Sequence, residues 1–219
     1  MQRRVDPEIL DSLAPDDPRA LRLHSGIDYF NVLLGNYRWF ARGLASVLRP
    51  GDRVLEIGAG RGRLLESLQP RFPNEIHWAG LDLACTAPGG FAGEWFQASA
   101  LDFDGYGAFD VILANHLLHQ FTEAELAAIG PKLAGARVLL ASEPWRRPHA
   151  VGLARLSPLI GMPRLAVHDG VVSVRAGFVR SEMPGFLGLE QRHWHCCETV
   201  QLLGAVRLVA ERREPTASI

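Results

Sequence analysis

The chain has 219 residues, 47% of them hydrophobic, which is enough for a full-sized core and makes one domain over 1–219 the expectation. Its 23 basic and 24 acidic residues leave a formal charge of −1, which argues against a broad cationic face for nucleic acid. Three cysteines make no disulfide framework and match no zinc spacing, and no run of about 18 apolar residues marks a membrane span or secretory signal, so a cytoplasmic setting without a bound metal is expected.

Prolines and aspartates crowd the first 18 residues, and 1–26 reads as an irregular lead-in. Apolar residues then recur at Ile27, Phe30, Leu34, Tyr37, Ala41, Leu44 and Leu48, one face of a helix that Gly35 breaks. Pro50-Gly51 is a turn, "RVLEIG" a strand, and "RGRLLESLQ" a helix stopped by Pro70. Further strands are "EIHWAGLDL", "WFQASAL", "FDVILAN" and "ARVLLASEP", with a helix "TEAELAAIGPKL" that Pro131 interrupts. Strands alternating with crossovers describe an α/β fold, a mostly parallel sheet covered on both faces. Beyond Pro144 the pattern gives a short helix "AVGLARLSPLIG", a strand-like "GVVSVRAGF", a short helix in "RSEMPGFLG", and an antiparallel hairpin from "LEQRHWHCC" and "VQLLGAVRLVAER". Residues 145–180 are the expected substrate lid.

The stretch "VLEIGAGRG" breaks a strand into glycines before a helix, where the backbone can approach a ligand closely and helix N–H groups face it. A dinucleotide fingerprint wants G-x-G-x-x-G, and here Gly58 and Gly60 fit while Arg63 takes the last place. Glu56 puts a carboxylate beside the turn, where like charge disfavours a pyrophosphate. A ligand with an ammonium and a sulfonium, such as S-adenosylmethionine, suits that turn better. Asp82 ends the second strand in "GLDL", placed to accept ribose hydroxyls. Asp102, in "ALDF" at the end of the third strand, is placed for an adenine amine, with Leu83 and Leu101 to sandwich the ring. An NAD(P)-binding oxidoreductase is the alternative from another class, and a cofactor-binding partner without turnover is a third.

Taken together, "VLEIGAGRG", "GLDL", "ALDF" and "FDVILANHLLHQF" resemble the class I S-adenosylmethionine-dependent methyltransferases over about residues 27–144. The resemblance implies a Rossmann-like seven-stranded sheet with an antiparallel last strand. It also implies that Gly58, Ala59 and Gly60 line the methionine end of the cofactor, Asp82 holds the ribose, Asp102 the adenine amine, and Asn115 borders the cofactor from the fourth strand. The base-methylating members carry an Asn/Asp-Pro-Pro-aromatic loop, which "ANHLLHQF" replaces here. "LLHQFTEAEL" is similar to the leucine-His-Asp-Trp stretch of small-molecule O-methyltransferases, which places His119 on their general base, with Gln120 and Phe121 in place of the Asp-Trp pair. The segments "EPWRRPHAVGLARL" and "HDGVVSVRAGF" resemble bacterial methyltransferases found with type III polyketide synthases, implying O-methylation of a small, largely apolar phenolic or polyketide-like acceptor; the expected nucleophile is a phenolic or carboxyl oxygen.

Methyl transfer from a sulfonium is an in-line displacement helped chiefly by holding the partners close, and a phenol, with pKa near 10, must first lose its proton. A neutral imidazole can take it. His119 is the expected base, His116 can replace it, and His168 beside Asp169 is a third candidate, although the two point to opposite faces if that segment is a strand. Arg146 and Arg147 read as a solvated pair beside proline, and His193, His195, Cys196 and Cys197 alternate between strand faces and cannot converge on a metal.

Overall fold

The structure is a computed structural model that describes residues 1–14, 16–160 and 164–213. Seven strands form one sheet: β1 (Arg53–Ile57), β2 (His77–Asp82), β3 (Glu94–Gln97), β4 (Val111–Asn115), β5 (Val138–Pro144), β6 (Trp194–Gln201) and β7 (Ala205–Arg212), in the order β3-β2-β1-β4-β5-β7-β6. β1 to β5 run parallel, β7 is antiparallel to β5, and β6 pairs antiparallel with β7. This is the expected Rossmann-like sheet with its antiparallel last strand.

Period-two alternation divides the core between the two faces. Val54, Trp78, Val111, Leu113 and Leu140 face one way, onto Phe40 and Leu44 of α2 (Asn36–Val47) and Leu64, Leu65 and Leu68 of α3 (Arg63–Leu68). Their neighbours Leu55, Leu81, Ile112 and Leu139 face the other way, onto Leu126 and Ile129 of α4 (Glu123–Lys132) and Met183 of α7 (Glu182–Phe186). Burial on both faces explains why these strands read as continuous apolar runs. The order reverses between β1 and β4, so their carboxyl ends open a crevice there.

Several expectations are corrected. The lead-in ends early, because α1 (Pro18–Leu34) starts with Asp17 accepting the N–H of Arg19 and Pro18 at its first position. Gly35 separates α1 from α2 as expected, at φ 68°. Pro131 lies in the last turn of α4 and does not split it; a Thr122–Glu125 capping box starts that helix. β3 stops at Gln97, short of Leu101 and Asp102. The strand-like "GVVSVRAGF" is largely helix, α6 (Arg164–Ala176). Its buried Ala166, Asp169, Val172 and Ala176 recur at helical spacing, and packing against α5 (Pro148–Leu156) overrides the β-branched composition. The closing hairpin turns at Leu202–Gly204, so its first strand runs past Cys197 to Gln201.

Residues 1–14 cross the carboxyl end of the sheet as a strap. Arg3 donates to the carbonyls of Ala176 and Phe121 at 2.8 and 2.7 Å and stacks on Phe178. The buried Asp169 carboxylate accepts the N–H groups of Ile9 and Leu10 at 2.8 and 3.2 Å.

Candidate functional site

A cleft of about 480 Å³ lies over the carboxyl ends of β1, β2 and β4, roofed by the strap and α1. Its floor is the turn after β1, where Gly58 and Gly60 sit at φ 64° and 53°. A side chain at Gly58 would be strained and would meet Leu117 Cδ1 at 2.6 Å, whereas nothing lies within 4 Å of a Cβ at Gly60. The missing side chain at Gly60 leaves the backbone open to the cleft. Asp82 holds the turn: Oδ2 accepts the N–H of Gly60 at 2.7 Å, and Oδ1 accepts those of Ala84 and Cys85 at 3.0 and 2.7 Å. A carboxylate has about four lone-pair positions, so roughly one remains for a ligand, where the sequence reading expected two.

Glu56 lines the cleft, is 2% exposed, and its Oε2 has no hydrogen-bond partner among the described residues. Burial, and then the neighbouring Asp82 charge, push its carboxyl well above the usual range, with the Leu65 N–H only partly offsetting them. A buried carboxyl with an unused oxygen fits a cationic ligand group, and an ammonium would ionise it on arrival. Asp11, Asp28 and Glu125 also line the cleft, together with Arg61 and Arg63.

Of the other expected residues, Ala59, Leu83 and Asn115 line this cleft, and Leu83 is 69% exposed, an apolar side chain with no cover. Leu101 and Asp102 do not. The chain turns after β3, so that Ala98, Ser99 and Ala100 face the cleft while Asp102 lies on an exposed turn. Ser99 was legible only as a polar residue just past a strand end. Asn115 belongs to a network that the sequence did not reveal. Asn36 Nδ2 lies 2.9 Å from Asn31 Oδ1, 3.1 Å from Asn115 Oδ1 and 3.1 Å from His116 Nε2, while its Oδ1 accepts from Ser142 and Arg207 at 3.0 Å each. Arg207 only donates, so it pins the amide with its nitrogen toward His116.

The three histidines are placed differently. His119 is 3% exposed and bridges two carboxylates, Nδ1 to Glu143 Oε2 at 2.7 Å and Nε2 to Glu8 Oε1 at 3.3 Å. Burial opposes its charge, but the hydrogen bonds to Glu143 and Glu8 and their charges prevail and raise its pKa to about 9. Both ring nitrogens face carboxylates, which favours the charged ring and does not fit the expected general base: His119 ties the strap to β5. His168 is 57% exposed on α6 and lines neither this cleft nor the two cavities beside it; it pairs with Asp169 at 3.1 Å, against the expectation of opposite faces, because the segment is helical. His116 is partly buried at φ 56°, and burial lowers its pKa to about 4.

A second, smaller cavity of about 140 Å³ lies beyond His116, between α1, α5 and α6, with a mostly apolar lining that includes Leu23, Phe30, Leu34, Leu153 and Val174. Four residues line both spaces: Leu10, Ile27, His116 and Gln120. Arg146, expected to be solvated, is buried and paired with Glu182 of α7. Among the described residues no group of His, Cys, Asp and Glu could hold a metal ion, and no helix is long and apolar enough to cross a membrane.

The family model for a methyltransferase domain matches residues 33–157, more than half of the chain. No curated protein matches the sequence significantly. Among solved structures, the chain is similar to the plantazolicin methyltransferase BpumL, in complex with a monoazolic desmethylPZN analog and SAH, at TM-score 0.70 and 13% identity, covering 90% of this chain and 91% of that one. The plantazolicin methyltransferase BamL, in complex with a triazolic analog and SAH, matches at TM-score 0.67 and 12% identity over 90% and 92%. A protein from a study of the conversion of a disulfide bond into a thioacetal group in echinomycin biosynthesis matches at TM-score 0.56 and 22% identity over 81% and 82%. At these identities the likeness is one of fold.

Proposed function

Because the chain belongs to the methyltransferase-domain family, we propose that it transfers a methyl group from S-adenosylmethionine to a phenolic or carboxyl oxygen of a small, largely apolar acceptor, such as a phenolic or polyketide-like compound. The observation that carries the cofactor reading is Glu56: a buried carboxyl beside a glycine turn with an unpartnered oxygen, which suits an ammonium that can take up its charge. When bound, the cofactor supplies an electrophilic methyl on a sulfonium.

The remaining roles follow from position. Gly58, Ala59 and Gly60 bring backbone to the methionine end, and Glu56 takes its ammonium. The free position on Asp82 accepts a ribose hydroxyl. Leu83 covers one face of the adenine, and Ser99 stands where Asp102 was expected to meet its edge. Asn115 is held rigid by Asn31 and Asn36 at the cleft wall. The acceptor occupies the second cavity and meets the methyl across Leu10, Ile27, His116 and Gln120. α5 and α6, within residues 145–180, cover that cavity and act as the substrate lid. Excluding water and fixing the approach is the main catalytic contribution such a site can make.

Calorimetric titration of S-adenosylhomocysteine against NADH tests the cofactor. Micromolar binding of the first with no heat from the second is expected, and the reverse would return the chain to the oxidoreductase reading. Transfer of a labelled methyl group separates an enzyme from a binding protein without turnover.

A further inference from the structure

We infer that the acceptor is a carboxylate on a small apolar body, methylated to its ester without an enzymic base, with His116 as the donor that orients it. The inference rests on the methyltransferase reading above and names its substrate class. The geometry that carries it is the hydrogen-bond inventory at the junction of the two cavities. His116 Nε2 faces Asn36 Nδ2 at 3.1 Å, and Arg207 fixes that amide so that it donates. That amide has two N–H groups for three acceptors, Asn31 Oδ1, Asn115 Oδ1 and His116 Nε2, so Nε2 shares one of them; facing a donor nitrogen it cannot itself carry the proton, which in the neutral ring sits on Nδ1. Among the described residues neither His116 Nδ1 nor the side-chain amide of Gln120 has a partner. The junction thus offers N–H donors and no free imidazole lone pair.

The carboxylates that line the second cavity, Glu8 and Asp169, are already engaged. Glu8 accepts from Ser173 and His119, and Asp169 accepts from Ile9, Leu10 and His168. Asp11, which accepts the N–H of Glu8, lines the cofactor cleft and not this cavity. Around His116 the charges of Glu8 and Glu143 are opposed by those of His119 and Arg207. A nucleophile at this junction has to arrive without its proton. A carboxylate does so, with pKa near 4, whereas a simple phenol near 10 does not. One carboxylate oxygen takes the His116 N–H while the other is free to attack. Its lone pair forms the O–CH₃ bond, the S–CH₃ bond breaks with its pair remaining on sulfur, and the two opposite charges cancel with no proton released.

The test is binding to the full chain loaded with sinefungin, in which a carbon replaces the sulfur and an amine stands where the transferable methyl does. At pH 7.5, 4-ethylbenzoate should bind at least about tenfold more tightly than 4-ethylphenol, as a charge-assisted bond to an anion requires. The preference should be level from about pH 6 to 8, where neither acceptor changes ionisation. His116→Gly suits the positive φ and removes the donor, so it should abolish the preference; His116→Asn, which also tolerates that φ, should restore part of it. Unchanged sinefungin affinity shows that both variants are folded. Equal or tighter binding of the phenol, binding of neither, or a preference that survives His116→Gly overturns the inference. Failure of wild type to bind sinefungin overturns the cofactor reading, and this one with it.

Discussion

Replacing Glu56 by Gln probes the cofactor site where its chemistry is most specific. In the free protein, burial and Asp82 keep the Glu56 carboxyl protonated above the pH at which an exposed one ionises. Arrival of the cofactor's ammonium favours the ionised carboxylate, so binding should release protons. Gln keeps the size and loses the charge. The lost interaction is one charge-assisted hydrogen bond, about 1.5–3 kcal/mol, so the Kd for S-adenosylhomocysteine should rise about 10- to 150-fold. Calorimetry in two buffers of different ionisation enthalpy measures both quantities at once: the observed enthalpy should depend on buffer in wild type and not in Glu56→Gln. The stability of the free protein runs the other way. A carboxyl whose folded pKa lies above its unfolded one costs stability as pH rises past the unfolded value, so Glu56→Gln should be as stable as wild type at low pH and more stable above about pH 5. Equal affinity and equal buffer dependence in the two proteins would refute the ammonium role of Glu56.

The other predictions concern the turn, the strap and the cofactor's adenine end. Gly58→Ala must take φ 64° and meets Leu117 at 2.6 Å, so it should lose about 1–2 kcal/mol from backbone strain and more from the clash. Gly60→Ala has no atom within 4 Å and should lose only the strain; equal urea midpoints for the two would contradict this packing. His119 has a folded pKa near 9 against an ordinary value of 6.5, so its contribution is complete below about pH 6.5 and is lost as pH rises through about 9. His119→Gln should cost about 3–5 kcal/mol at pH 6 by leaving two buried carboxylates unbridged, and urea melts from pH 6 to 10 should show the wild-type decline flattened in the variant. Asp102→Ala should leave S-adenosylhomocysteine affinity unchanged while Leu83→Ser weakens it, and the opposite order would return Asp102 to the site.

What the sequence determined by itself is local and periodic. The apolar runs at Arg53–Ile57, Val111–Asn115 and Val138–Pro144 announced strands buried on both faces, and the break into Gly58 and Gly60 announced a ligand turn, because backbone conformation there depends on neighbouring residue types. Glu56 and Asp82 were legible for the same reason, since a strand end places its acidic residue without help from the rest of the fold. The helix in "HDGVVSVRAGF" was not legible, because its buried face exists only against α5, α1 and the strap, and β-branched residues accept either state when packing decides. Asp102 lay beyond the reading because where β3 stops is set by its pairing with β2, not by composition. The histidines show the division most clearly. The sequence put His116 and His119 three residues apart with interchangeable roles. Only the tertiary structure brought Glu8 from the strap and Glu143 from β5 onto His119, making it a charged strut, and set Asn36 against His116, leaving it neutral with its lone pair occupied. Protonation depends on which distant groups surround a ring, and chain order does not record that.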